Sequence, residues 1–356
     1  MRNALFVLAV ATAVAHAQSP ELAERLKKCV VHVEAVDRAL LRAEELRRER
    51  VPVAQWEDLR IFQPYVFAAS GVVVSPEGDI VTAALHPRAD LRVTVSFHDG
   101  RKQDAEIVGT DPLSNLALIR VALETKDHLP IGEMAAEQGE NVFLGGFARG
   151  CDAPLAMDGR VGLHELSVEI DDTYRVAGGY RIPVASAFAI VTRPADTCAG
   201  TVCVDGEGRL LGVLLGSEPP RLVPDPNRPG AHTAVQVQFA TPAARVARIV
   251  RDLRAHGRVV RSNFGFEFVA VGADVRAHFD VPASACAVTR VDAGSPAAAA
   301  GLRPLDIVLS LDGRNYRDAY AFHEALSDKE PGKAVEFRVL RKGEEMALTA
   351  TPSERR

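Results

Sequence analysis

From Ala68 onward, apolar and polar positions alternate in short runs separated by tight turns. Ser70–Ser75 is one such run, Pro76–Asp79 is a turn, and Ile80–Ala84 is the next run. Leu91–Phe97 alternates up to a hairpin turn at His98–Arg101, and Glu106–Gly109 and Leu116–Val121 follow. A second set runs from Asn141 to about Phe239. Strands of this length and spacing predict a β-barrel or sandwich, the two sets fitting two barrels of similar size, in an all-β dominated fold. Upstream, Glu21–Lys28 reads as a charged helical stretch and Cys29–Val36 as the first strand. His32 is then an ordinary strand side chain by alternation. Asp37–Arg50, rich in Leu, Ala, Glu and Arg, predicts a helix or a charged loop inserted after that strand. Downstream, Thr241-Pro242 predicts a cap and a first-turn proline. Ala243–His256 then places Val246, Ile249, Val250 and Leu253 on one helical face, and Gly257 closes the helix. Residues 260–352 form a smaller β-rich module with one helix, Asp318–Ser327.

Composition narrows the function classes. The 356 residues are 47% hydrophobic and 25% charged with a net charge of −5, so no basic excess points to nucleic acid, and the length suits two or three domains. The chain opens with Arg2, an apolar run Ala4–Ala15 and a small-x-small site at Ala15-His16-Ala17. That reads as an export signal cleaved before Gln18, the run being short for a bilayer span, which needs about 20 apolar residues. The mature protein is expected to be periplasmic or secreted, without stable membrane insertion. Export permits disulfides among Cys29, Cys151, Cys198, Cys203 and Cys286. Five is odd, so at least one thiol is free or pairs between molecules. A local bridge from Cys198 to Cys203 is one possibility, with Cys29 or Cys151 as other partners. No spacing suggests a metal site, and no cofactor is expected.

Four motifs carry more. They are Gly71-Val-Val-Val-Ser-Pro-Glu-Gly-Asp-Ile-Val-Thr82, Gly109-Thr-Asp-Pro-Leu-Ser-Asn-Leu-Ala-Leu118, Gly257-Arg-Val-Val-Arg261 and Gly294-Ser-Pro-Ala-Ala-Ala-Ala-Gly-Leu302. In this order they resemble the HtrA (DegP-type) family, which implies a trypsin-like double β-barrel followed by a small α+β PDZ domain. The expected segments are a leader over 1–17, an N-terminal strand and charged insertion over 18–60, the double barrel over 61–240, a linker helix over 241–259 and the PDZ domain over 260–352. The resemblance also implies a catalytic triad, and all three of its positions are changed. Counting from Thr82 puts the general base at Leu85; the orienting aspartate falls on Asn115 and the nucleophilic serine on Cys198. Leucine has no proton acceptor, and asparagine carries no charge to stabilise an imidazolium. A thiol without a base stays mostly protonated at neutral pH. Asp196 replaces a glycine beside the oxyanion position, restricting the backbone and adding a negative charge. His86, next to Leu85, is the one candidate to rescue a pairing with Cys198, although neighbouring strand residues face opposite ways.

In the PDZ-like module, Phe264-Gly265-Phe266 stands at the family's carboxylate-binding loop, whose amides hold a peptide terminus. Helix Asp318–Ser327 is expected to line the groove with Phe264, and His323 to be near a ligand side chain. Leu305 replaces the usual glycine before Asp306. The expected role is that of an HtrA-like pseudoprotease binding C-terminal peptides, or unfolded or envelope proteins, without hydrolysis. Two alternatives are an active endopeptidase, serine-protease-like or dependent on Cys198, in envelope protein quality control, and an oligomeric scaffold built as a homo-oligomer.

Overall fold

The computed structural model describes residues 20–38, 66–83, 85, 90–147, 154–164, 166–171, 181–194, 197, 199–217, 220–224 and 231–355. The expected leader, the insertion over 39–65, Cys151, Asp196, Cys198 and His86 lie outside them. Two compact units divide the chain, the first ending at Arg258 and the second comprising the chain from Val259 onward together with the short segment Pro183–Ser186.

The first unit opens with helix α1 (Pro20–Cys29), which buries Leu22, Leu26 and Cys29. Six strands then form a closed barrel: β1 (Val30–Asp37), β2 (Val66–Val73), β3 (Asp79–Ala83), β4 (Leu91–Ser96), β5 (Lys102–Asp111) and β6 (Leu116–Arg120). Their order is β1-β2-β3-β6-β5-β4, closed where β4 pairs with β1. Val31, Val33, Ala69, Ile80, Val93, Val95 and Ile119 fill it, as alternation requires of inward positions.

The second set comprises β7 (Asn141–Phe147), β8 (Pro154–Val161), β9 (Leu166–Asp171), β10 (Arg181–Thr192), β11 (Val202–Val204), β12 (Leu210–Ser217), β13 (Arg221–Pro224) and β14 (His232–Pro242). The sheet order is β13-β14-β12-β11-β7-β8-β10-β9, and a further pairing of β10 with β14 closes six of these strands into a ring. Val142, Leu144, Phe188, Ile190, Cys203 and Leu214 pack inside it. The two barrels expected from the run lengths are therefore both present.

Helix α2 (Ala243–His256) buries Ala243, Val246, Ile249, Val250 and Leu253, and Gly257 ends it at φ 68° with its N–H on the Leu253 carbonyl. Its start differs from the expectation. Thr241 belongs to β14, its buried hydroxyl has no hydrogen-bond partner, and Pro242 holds the N-cap position without a side-chain bond. Nor is α2 a free linker: its apolar face packs on the barrel unit, which it shares.

The second unit has its own core, in which Phe264, Val288, Leu302, Val308, Phe322, Phe337 and Val339 meet. It contains β15 (Ser262–Asn263), β16 (Phe266–Ala270), α3 (Ala273–Phe279), β17 (Cys286–Val291), α4 (Pro296–Ala299), β18 (Ile307–Leu311), α5 (Ala319–Ser327), β19 (Val335–Arg341), β20 (Glu344–Ala350) and β21 (Ser353–Glu354). The main sheet runs β16-β17-β18-β19-β20, and β15 pairs with β21. Asp318 caps α5 by accepting the Ala321 N–H at 2.9 Å. Helix α4 falls in the Gly294–Leu302 motif, whose family counterpart is a helix, and α5 matches the expected Asp318–Ser327, so α3 is the unforeseen one. The extra α3 buries no side chain and so leaves no amphipathic signature.

Candidate functional site

Ser70, on β2, is the hub between the first barrel and the loop that the resemblance assigns to the nucleophile. Its N–H donates to the Ala199 carbonyl at 2.8 Å, and its own carbonyl accepts the Thr82 hydroxyl at 2.8 Å. Its hydroxyl accepts the Phe147 N–H at 2.8 Å and lies 3.1 Å from the Thr201 hydroxyl. Gly200 makes this approach possible: at φ 86°, an added Cβ there would sit 2.0 Å from the Ser70 carbonyl oxygen. On the other flank, Thr197 donates to Gln238 Oε1 at 2.9 Å, and Gln238 Nε2 donates to Thr192 Oγ1 at 3.1 Å. Sequence reasoning singled out none of Ser70, Thr201 and Gln238, because their partners lie 131 and 41 positions away. Cys198 and Asp196 themselves lie outside the described residues.

The register of β3 against β6 pairs Ala83 with Leu116, bringing positions 85 and 115 to one end of the barrel. Leu85 is 3% exposed and belongs to the barrel core with Val31, Val73, Ile80 and Val121. The position expected to hold the base is thus occupied by a packed core side chain. Asn115 is buried and adopts φ 57°, a left-handed conformation that Asn and Asp tolerate better than other residues with side chains. The turn itself therefore selects that pair of residue types. His32 is buried in β1, its ring 5.4 Å from Phe147, in keeping with a structural strand residue.

In the second unit the expected groove lies between β16, an edge strand, and α5. Phe268 of β16 meets Phe322 edge to face at 5.1 Å and His323 at 6.1 Å. Phe268 escaped the sequence reading, which stopped at the loop. Phe264 does not line the groove with its side chain as expected: it is 3% exposed and packs edge to face on Phe337 at 5.1 Å. Only its main chain remains to contact a ligand. Phe266 is half buried against the same core, and Gly265 turns the loop at φ 73°. Apolar surroundings lower the pKa of His323, with Arg355 and Arg261 adding to the shift and Asp328 opposing it, so its imidazole favours the neutral form. Leu305 keeps the turn that a glycine would make, at φ 73° and 88% exposed, with its N–H on the Val288 carbonyl.

This double barrel and edge-strand groove match two known domain patterns. Residues 69–213 match the trypsin-like peptidase domain and residues 264–351 the PDZ domain. In both domains and in their order the chain is similar to the HtrA-type proteins. Among its relatives, the "Probable periplasmic serine endoprotease DegP-like" of Chlamydia pneumoniae is 24% identical over 286 residues, covering 80% of this chain and 54% of that protein. The "Periplasmic pH-dependent serine endoprotease DegQ" of Escherichia coli is 24% identical over 300 residues, covering 81% and 60%. The chain spans about half the length of the curated relatives it matches. Two solved structures share its fold. One is the HtrA-type protease AlgW with a tripeptide, at TM-score 0.66 and 19% identity over 94% of this chain and 96% of that one. The other is the serine endoprotease from Yersinia pestis, at TM-score 0.60 and 19% identity over 97% and 100%.

Proposed function

We propose that this HtrA-like protein works outside the cytoplasm, in the periplasm or secreted, binding extended polypeptide through its PDZ groove without hydrolysing it. Leu85 carries the reading. A general base must come within about 3 Å of the proton it removes, and a leucine seated in the barrel core offers the cleft no acceptor. Asn115 and the Cys198-for-serine change support the same conclusion from sequence. The groove retains what recognition needs: an edge strand with backbone groups to offer, aromatic side chains beside it, and a capped helix as its other wall. The leader-like first residues and the periplasmic relatives support export, and no described helix is long and apolar enough to cross a membrane.

The relatives' naming as endoproteases favours a second reading, an active endopeptidase using Cys198 with His86. The mature protein and its Cys198→Ala variant, each incubated with unfolded casein, separate the two. The binding reading expects equal, background cleavage in both. Cleavage present in the wild type and lost in the variant would establish the endopeptidase.

A further inference from the structure

The amides before β16 are not all open. Asn263, at the end of β15, turns its side chain back so that Oδ1 accepts the Gly265 N–H at 3.1 Å. The loop that holds this amide is fixed on several sides. Asn263 is tied to Ser353 by strand pairing and by a 3.3 Å bond from the Ser353 hydroxyl. The Phe264 carbonyl accepts the Ala297 N–H and the Gly265 carbonyl accepts the Asp292 N–H, both at 2.9 Å. A Cβ on Gly265 would lie 2.4 Å from Ser295 Cβ, so the turn cannot easily be rebuilt. A carboxamide oxygen therefore occupies the place where a ligand carboxylate would accept a bond.

We infer that Asn263 is a specificity-determining residue: it stands in for a terminal carboxylate and tunes the groove toward internal extended segments of polypeptide. This rests on the reading of the β16–α5 groove as a peptide site. A free C-terminus profits from the Gly265 amide only by displacing Asn263, which exchanges one hydrogen bond for another. A segment that continues past the loop leaves Asn263 in place. It draws its bonds from the edge of β16 and its apolar contact from Phe268. Nearby cations do not restore a terminal preference. Arg261 is answered by Asp328 at 3.2 Å, and Arg355 attracts an acidic side chain as readily as a chain end.

The test uses the full mature chain and three forms of a fluorescent decapeptide of alternating valine and serine ending in valine. One form has a free carboxylate, one a C-terminal amide, and one a Gly-Ser-Gly extension. The wild type is expected to bind all three within about threefold. Asn263→Ala should raise affinity for the free carboxylate alone by about tenfold, since a charge-assisted bond becomes available. Asn263→Asp should weaken that form selectively, through like-charge repulsion. Asn263 is exposed and the main-chain bonds of the loop remain, so both variants should stay folded, checked by thermal melting. The inference is overturned if the wild type prefers the free carboxylate by about tenfold or more, or if Asn263→Ala leaves the three affinities in their original ratio. Failure of all three forms to bind the wild type overturns the peptide-site reading as well.

Discussion

Leu85 separates two ideas about a lost base. If the position faced the cleft, a histidine there would restore a proton acceptor. Because the side chain is packed with Val31, Ile80 and Val121, Leu85→His instead buries an imidazole without a partner in an apolar barrel. The expected result in urea denaturation is a loss of about 2–4 kcal/mol, with no gain in casein cleavage. A stable variant that gains cleavage would place the side chain in the cleft. The motif spacing revealed which residue type sits at 85 but not which way it points, because direction depends on how the chain leaves β3. Asn115 is similar: its identity was legible, while its left-handed backbone emerged only with the turn between β5 and β6. Leu305 is the converse, a departure visible in the sequence whose cost the structure explains. A leucine at φ 73° pays a left-handed penalty that glycine does not. Leu305→Gly should raise stability by about 1 kcal/mol, measured by chemical denaturation. A loss of stability would mean that the exposed leucine makes contacts outweighing its backbone strain.

Elements in the first unit are tied by Asp79, which is 2% exposed at the start of β3. One carboxylate oxygen accepts Arg120 of β6 and the other accepts Arg254 of α2, each at 2.6 Å. Burial alone would raise the Asp79 pKa, but the two guanidinium groups outweigh it and hold the carboxyl below its ordinary value. A folded-state pKa below the unfolded one stabilises above the unfolded value, and that stability is lost as pH falls through the folded one. Asp79→Asn should therefore cost about 1–3 kcal/mol at pH 7, less than a fully buried pair because both arginines are half exposed and rehydrate. The gap between wild type and variant should close below about pH 4. A gap independent of pH would assign the effect to packing rather than charge. The apolar stripe of α2 was legible from its helical period. Its ion pair was not, since residues 175 apart leave no periodic trace. Helix α3 escaped for a related reason: periodicity reports a buried face, and α3 has none.

Across the whole molecule, packing rather than covalent staples holds the described residues together. Each barrel and the PDZ unit has its own apolar cluster, with Cys203 inside the second barrel and Cys286 inside the PDZ core. The alternation of apolar residues made these cores legible; the state of the cysteines was not, because pairing depends on which residues the fold brings together. Cys29, Cys203 and Cys286 are all free and buried. This excludes a bridge from Cys198 to Cys203, one of the pairings left open by the sequence, and any bridge through Cys29. Burial pushes the Cys29 thiol up to about 11 and Cys286 to about 12, and it raises Cys203 as well. Thiolate, not thiol, attacks disulfide reagents, so these three should stay silent in the native protein even under mildly alkaline conditions. A Cys151→Ser, Cys198→Ser double variant isolates them from the two remaining cysteines. With Ellman's reagent at about pH 8, where an ordinary thiol is partly ionised, it should show no reaction until denaturant is added. It should then release one equivalent for each of the three thiols. Reductant should leave its melting temperature unchanged. Rapid native labelling would mean that a core opens locally, and a melting temperature lowered by reductant would mean that a disulfide supports the fold after all.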